Sequence, residues 1–240
     1  MNLDGGNGDI IPGTKNTPIP DMSDAMPMLT ATRHQNNKDV WLITKKFLTN
    51  QYVAFLITDS GISPVPIYSN SSIQPDTNYS NCNDEIHISL DGTLLISHHD
   101  PTVTPCPELC SFNTLTGSIT PLFTIQPYLG LSPYPVSCGG FSPNSKLLYL
   151  KGVQPPPSFD VCIFQFDLSI PDSIEVINSQ QPIYQCITAP GQFTLSQPFQ
   201  VGPDWKLYLP SSFHDSLNAI LNPNNSGIGC NFQRNVISTG

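Results

Sequence analysis

Apolar residues recur along this chain in short runs, each introduced by a polar turn. Ser89-Leu90-Asp91-Gly92-Thr93-Leu94-Leu95-Ile96-Ser97, Ser142-Pro143-Asn144-Ser145-Lys146-Leu147-Leu148-Tyr149-Leu150 and Gly202-Pro203-Asp204-Trp205-Lys206-Leu207-Tyr208-Leu209 carry one pattern, and Asn36-Asn37-Lys38-Asp39-Val40-Trp41-Leu42-Ile43 is a weaker fourth copy. Aligning Asn36, Asp91, Asn144 and Asp204 gives steps of 55, 53 and 60 residues, the length of a four-stranded propeller blade with generous loops. Strands such as Val40–Ile43 and Lys146–Leu150 are apolar on both faces, as expected of a blade sandwiched between two others. The turns Asp91-Gly92 and Asn144-Ser145 supply residues that tolerate the left-handed backbone of a tight hairpin.

The rest of each unit follows the template. Blade one continues through Tyr52–Thr58, the turn Ser60-Gly61 and Ile62–Tyr68; blade two through Leu109–Asn113, the turn Thr116-Gly117 and Ile119–Ile125. In blade three, Val161–Leu168 reads as the third strand and Ile174–Ile177 as the fourth; the last unit runs through Leu217–Leu221 and lacks a clear fourth strand. The expectation is an all-β propeller region over 1–240 with blades near 30–69, 84–126, 137–178 and 194–237. Residues 1–12 read as the end of a preceding blade, which makes the segment part of a larger ring of about seven blades.

Composition sharpens this picture. Twenty-five prolines and 16 glycines interrupt every long helical period, and 240 residues suffice for a sizeable core. Only 11% of residues are charged and the net charge is −9. The bases are scattered, with Lys45-Lys46 the one adjacent pair, so the stripe that nucleic-acid binding needs is missing. Residues 1–30 lack the basic start and apolar run of a signal peptide, and no run of apolar residues reaches the ~18 of a membrane span.

Seven cysteines, at 82, 106, 110, 138, 162, 186 and 230, suit an oxidising compartment. Cys106 and Cys110, four residues apart across a proline-bearing loop, are the expected disulfide, with Cα atoms within about 7 Å. Cys82, Cys138 and Cys186 each precede the first strand of a blade. No second cysteine pair or histidine stands at metal-ligand spacing, so neither a metal nor a cofactor is called for.

A resemblance emerges from the order of several motifs. Asn2–Asp9, Leu29–His34, Lys38–Thr44, Tyr52–Thr58 and Gly61-Ile62 look like the central part of the propeller in large cell-surface proteins of gliding, type IX-secreting bacteria. Phe141–Tyr149, Gly202–Tyr208 and Asn222–Phe232 are similar to the successive WD40/YVTN-like blade signatures of that family. The resemblance covers nearly the whole chain. It implies an export signal and further blades upstream, PKD-like or sorting domains downstream, an extracellular or cell-surface location, and no catalytic residues. Trp205 departs from the glycine usual at its turn.

His98-His99-Asp100, with His87 a strand earlier, is the densest titratable cluster, and alternation allows only one of His98 and His99 onto the face of His87. His34 with Asp39, and His214-Asp215, read as loop and turn residues. The Gly-x-Ser-x-Gly elbow of hydrolases is missing, and Ser89–Thr93 only superficially matches an Asp-box turn. Sequons stand at Asn70, Asn78 and Asn224. Two function classes remain. A binding or scaffold propeller would meet a protein or glycan through blade-end loops 70–84, 100–107 and 153–159, with Tyr79, Tyr128, Tyr134 and Phe159 as aromatic contacts. A propeller hydrolase or lactonase-type enzyme would instead need acids and histidines converging on the central channel, where Ile86–Ser89 and Pro198–Val201 offer one histidine and no carboxylate.

Overall fold

A computed structural model describes residues 18–19, 22–74, 85–98, 107–129, 132–133, 136–153, 161–186, 199–210 and 215–238. The chain is all-β, built from antiparallel meanders in sequence order. Blade one contains β1 (Thr30–Arg33), β2 (Val40–Lys45), β3 (Gln51–Thr58), and a fourth strand broken into β4 (Gly61–Ile62) and β5 (Ile67–Asn70), both paired with β3. Blade two contains β6 (Glu85–Ile88), β7 (Leu94–His98), β8 (Glu108–Phe112) and β9 (Ile119–Thr124). A small ribbon, β10 (Tyr128–Leu129) with β11 (Ser132–Pro133), leads to blade three: β12 (Val136–Phe141), β13 (Leu147–Val153), β14 (Val161–Asp167) and β15 (Gln181–Cys186). Blade four is β16 (Gln200–Val201), β17 (Leu207–Pro210), β18 (Ser216–Ile220) and β19 (Phe232–Ser238). These are four blades of a β-propeller, as the repeat predicts.

Two expectations are corrected. Residues expected as the fourth strand of blade three, Ile174–Ile177, form the helix α1 (Ser173–Asn178), and the strand itself is β15. The Asp172 side chain accepts from the N–H groups of Ile174 and Glu175, which caps the helix. This local hydrogen bonding outweighs the strand-like alternation of Ile174-Glu175-Val176-Ile177. Blade four does possess a fourth strand, β19, reached through the 3-10 turn Gly227–Cys230.

Strand alternation sends opposite faces of each blade to opposite neighbours. Trp41, Ile43, Tyr52 and Ala54 of blade one meet Ile86, Leu95, Cys110 and Phe112 of blade two. From the other face of blade two, Ile96 and Leu109 meet Leu148, Leu150, Phe164 and Phe166 of blade three. Leu147, Tyr149 and Ile163 then meet Phe199, Leu207, Leu209 and Ile220 of blade four. First strands lie side by side, β6 between β1 and β12. There the backbones come close: a Cβ on Gly140 would sit 2.7 Å from Cβ of Phe199.

The inner hairpins share one device. Asn37, Gly92, Ser145 and Trp205 all have positive φ, between 58° and 75°, one residue after the aligned Asn or Asp. In blades two and three the Ser89 and Ser142 hydroxyls donate to Asp91 and Asn144 and accept from the N–H of Leu94 and Leu147. The loop is therefore longer than a two-residue hairpin: the Ser89 N–H bonds the Leu94 carbonyl, and the Ser142 N–H that of Leu147. In blade four the Gly202 N–H bonds the Lys206 carbonyl, a loop one residue shorter. That deletion sets the register, because it turns Leu207 and Leu209 toward blade three, where Leu148 and Leu150 of blade three point toward blade two.

Aromatic side chains clasp neighbouring blades at the turn end. Trp41 donates its Nε1–H to the Thr114 carbonyl of blade two at 2.8 Å, and Tyr149 donates its hydroxyl to the Pro223 carbonyl of blade four at 2.7 Å. The Tyr149 oxygen also accepts from Gln165, whose amide bonds Asn225 and Gly227 of the same outer turn. Tyr149→Phe removes two hydrogen bonds and is expected to cost about 2 kcal/mol, whereas Trp41→Phe removes one and should cost ~1 kcal/mol. Urea unfolding of both variants checks this, and equal losses would show that ring packing alone holds the clasp.

Candidate functional site

A group of buried and half-buried titratable side chains falls at the opposite end of the blades, where β2, β7 and β13 end and β3, β6 and β8 begin. Glu85 and His87 share the face of β6 directed toward blade three, and Glu85 Oε2 lies 3.4 Å from His87 Nε2. Their side chains are 14% and 20% exposed. His98 stands directly opposite Glu85 in the ladder and is buried, so it is His98 that joins the face of His87. This corrects the expectation that the inner strand offers no carboxylate: the strand begins one residue earlier than read, and Glu85-Ile86-His87-Ile88 alternates so that acid and imidazole fall together. Glu85 Oε2 is buried and accepts no hydrogen bond among the described residues, so acid and imidazole are close neighbours on one face without a hydrogen bond between them.

A second polar group is built into the interface of blades one and two. Glu108 is fully buried, with Tyr52 and Ser71 hydroxyls donating to Oε2 at 2.7 and 2.8 Å. The Ser72 N–H and hydroxyl donate to Oε1, and the Cys110 thiol approaches Oε2 at 3.5 Å. Burial acts to raise the Glu108 pKa, but the donors Ser72, Tyr52 and Ser71 together outweigh it and hold the carboxyl below the ordinary glutamate value. Burial, then the charges of Cys110 and Glu108, push the Tyr52 hydroxyl well up. Burial and the Glu108 charge likewise push the Cys110 thiol up, so both stay protonated as donors. The buried Lys45 ammonium lies 4.4 Å from the centre of the Tyr52 ring. A carboxylate so fully engaged has no lone pair for a substrate. Its work is to tie the segment leaving blade one, Ser71-Ser72, to the third strand of blade two.

The other residues singled out from sequence are distributed as follows. Tyr79, Tyr134, Phe159, His99, Asp100, His214, Cys82 and Cys106 lie outside the described residues, and Tyr128 is in β10. Cys110, the described half of the expected Cys106–Cys110 bridge, is a free buried thiol turned toward blade one. Cys162 and Cys230 are buried as well. His34 is a turn residue, its ring bonding the Leu115 carbonyl of blade two and the Asn36 N–H rather than the Asp39 carboxylate. Asp215 lies in an exposed bend before β18. Among the described residues no three His, Cys, Asp or Glu side chains gather closely enough to hold a metal ion.

Sequence reading passed over Glu85, Glu108 and Lys45. The signal for Glu108 is its alternation with Cys110 and Phe112, which places a charge on the most apolar face of blade two and so requires a set of donors. Because the folded-state pKa of Glu108 is depressed, its contribution to stability is present above the ordinary glutamate pKa, about 4.3, and is lost as the pH falls through the folded value. Wild type should therefore lose stability in acid more steeply than Glu108→Gln. At pH 7, Glu108→Ala should cost roughly 3 kcal/mol by stranding buried donors. Urea midpoints measured from pH 7 down to pH 3, about the lower end of the carboxylate range, decide it; parallel acid profiles would remove Glu108 from the linkage.

No family profile matches the sequence, and no curated protein does. Solved structures that are similar include a proposed 6-phosphogluconolactonase from Bacteroides uniformis, with 12% identity, 83% of this chain and 52% of that chain covered, and a TM-score of 0.48. Hydrazine synthase from Kuenenia stuttgartiensis is similar at 9% identity over 79% of this chain and 51% of that one, TM-score 0.47. TolB from Acinetobacter baumannii is similar at 12% identity over 87% and 42%, TM-score 0.44. The chain thus spans about half the length of the solved structures it matches, and at such identities the likeness concerns fold alone.

Proposed function

We propose that this chain is a binding and scaffold propeller without catalytic activity, belonging to a secreted or cell-surface protein and recognising a protein or glycan through loops at one end of its blades. One observation carries the reading. The strands flanking segments 75–84, 99–106, 154–160, 187–198 and 211–214 all end or begin at the same end of the blades, as do those flanking 125–135. Tyr79, Tyr128, Tyr134 and Phe159 fall within these connections in the sequence, and blade-end connections are where a rigid propeller carries recognition side chains. The low charge and the resemblance to type IX-secreted, gliding-associated proteins support the cell-surface setting.

The Glu85–His87 pair favours a second reading, a hydrolase or lactonase-type enzyme. It sits on an inner strand at the same end of the blades, with His98 behind it. There His87 would take a proton from an attacking water beside the Glu85 carboxylate.

Purified protein is to be assayed against lactone, glycoside and ester substrates and, in parallel, for binding to surface glycans and proteins. The expected outcome is binding without turnover, with Tyr79→Ala or Phe159→Ala weakening it by roughly 30-fold if either is a hot spot. Robust turnover abolished by His87→Ala or Glu85→Gln would overturn the binding reading in favour of the enzyme.

A further inference from the structure

Trp205 occupies a position that a large side chain is poorly suited to fill. It has φ +63°, and the equivalent residues of the other three inner hairpins are Asn37, Gly92 and Ser145. Left-handed backbone brings Cβ against the carbonyl oxygen, a conformation that glycine and asparagine accept and bulky residues resist. Burial does not offset this, because Trp205 is 58% exposed whereas Trp41 is 4% exposed. The turn beneath it is firmly built. The Trp205 N–H donates to the Gly202 carbonyl at 3.0 Å, and Asp204 takes Lys206 Nζ at 2.8 Å and the Tyr208 hydroxyl at 2.9 Å. The Tyr208 ring lies over Gly202, where a Cβ would meet Cε2 at 2.5 Å. The result is an indole held out in water on a three-residue loop, beside an exposed carboxylate and ammonium.

We propose that Trp205 is a stacking platform for a sugar ring, a glycan-contact site at the turn end, away from the connections that carry Tyr79 and Phe159. An exposed strained residue persists where it serves a function rather than packing. The electron-rich indole face attracts the weakly positive C–H groups on one side of a pyranose, while Asp204 and Lys206 offer an acceptor and a donor to its hydroxyls. A protein partner would be served by a broader apolar patch around the ring, and here the flanking residues are Asp204 and Lys206, both charged. The inference does not rest on the binding role of the opposite end, and Tyr79→Ala and Phe159→Ala should leave it unchanged.

The test uses the full chain with cellohexaose, chitohexaose, laminarihexaose and oligogalacturonate, read by calorimetry and by tryptophan emission. Trp41 and Trp205 are the two tryptophans, so a blue shift reports the exposed indole. The expected result is saturable binding of at least one oligosaccharide with that shift, lost in Trp205→Asn by calorimetry and retained in weaker form by Trp205→Phe. Trp205→Asn, relieved of strain, should raise the thermal midpoint by about 2 °C. Silence across the panel, binding that survives Trp205→Asn, or a lowered midpoint in that variant would each overturn the proposal, the last by showing that the indole is a packing residue.

Discussion

Packing both faces of each inner blade against a neighbour is the constraint on which this structure depends. A four-stranded meander with two apolar faces has no stable existence alone, so every strand choice is also a choice about the next blade. The tightest expression of this is the position that follows each hairpin on the second strand. In blades one and three it is Trp41 and Tyr149, and each spans the interface to reach a backbone carbonyl in the outer turn of the following blade. The clasp satisfies a polar atom where an apolar layer meets a turn, and it fixes the spacing of blades by a hydrogen bond as well as by side-chain volume.

Blade two has Ile96 at that position, which can donate nothing. The interface there is completed differently: the connection after β14 in blade three folds into α1 and buries Val176 in the same cluster as Ile96, with Leu168 and Ile170 packed against it. Substitution of an aromatic by an aliphatic residue in one blade thus accompanies a helix in the outer connection of the next. This is why Ile174–Ile177 could be mistaken for a strand. Its alternation is genuine, but the Asp172 cap and the need to cover Ile96 are properties of the neighbouring blade, invisible to a strand pattern read within one repeat.

The sequence carries the hairpin repeat plainly because the left-handed residue and its preceding Asn or Asp are local necessities. The Ser-x-Asx hydrogen bonds of Ser89–Asp91 and Ser142–Asn144 need no partner beyond five residues, so they write themselves into a short motif. Register is less local. The shorter turn of blade four, with Gly202 in place of serine, moves Leu207 and Leu209 to the face that Leu148 and Leu150 use, and aligning the motifs residue by residue hides this. Glu108 was illegible for a related reason. Its donors come from Tyr52, Ser71 and Ser72 of the preceding blade, and nothing adjacent in sequence announces that a buried carboxylate there will be satisfied.

The two ends of the blades consequently solve different problems. At the turn end, short loops bond their own backbones and neighbours, and the remaining side chains are free to be small or, at Trp205, conspicuous. At the other end the apolar layer runs out before the strands do, and Lys45, His98, Glu108 and Lys151 are buried beside strand ends. A buried polar group is tolerable only when bonded, so the core at this end depends on what the adjoining segments supply, as Ser71 and Ser72 supply donors to Glu108. Changes in those connections therefore reach the interface between blades directly. Glu85 and His87 stand at this same end, placed by strand pairing, while the groups around them are left to connections of unequal length.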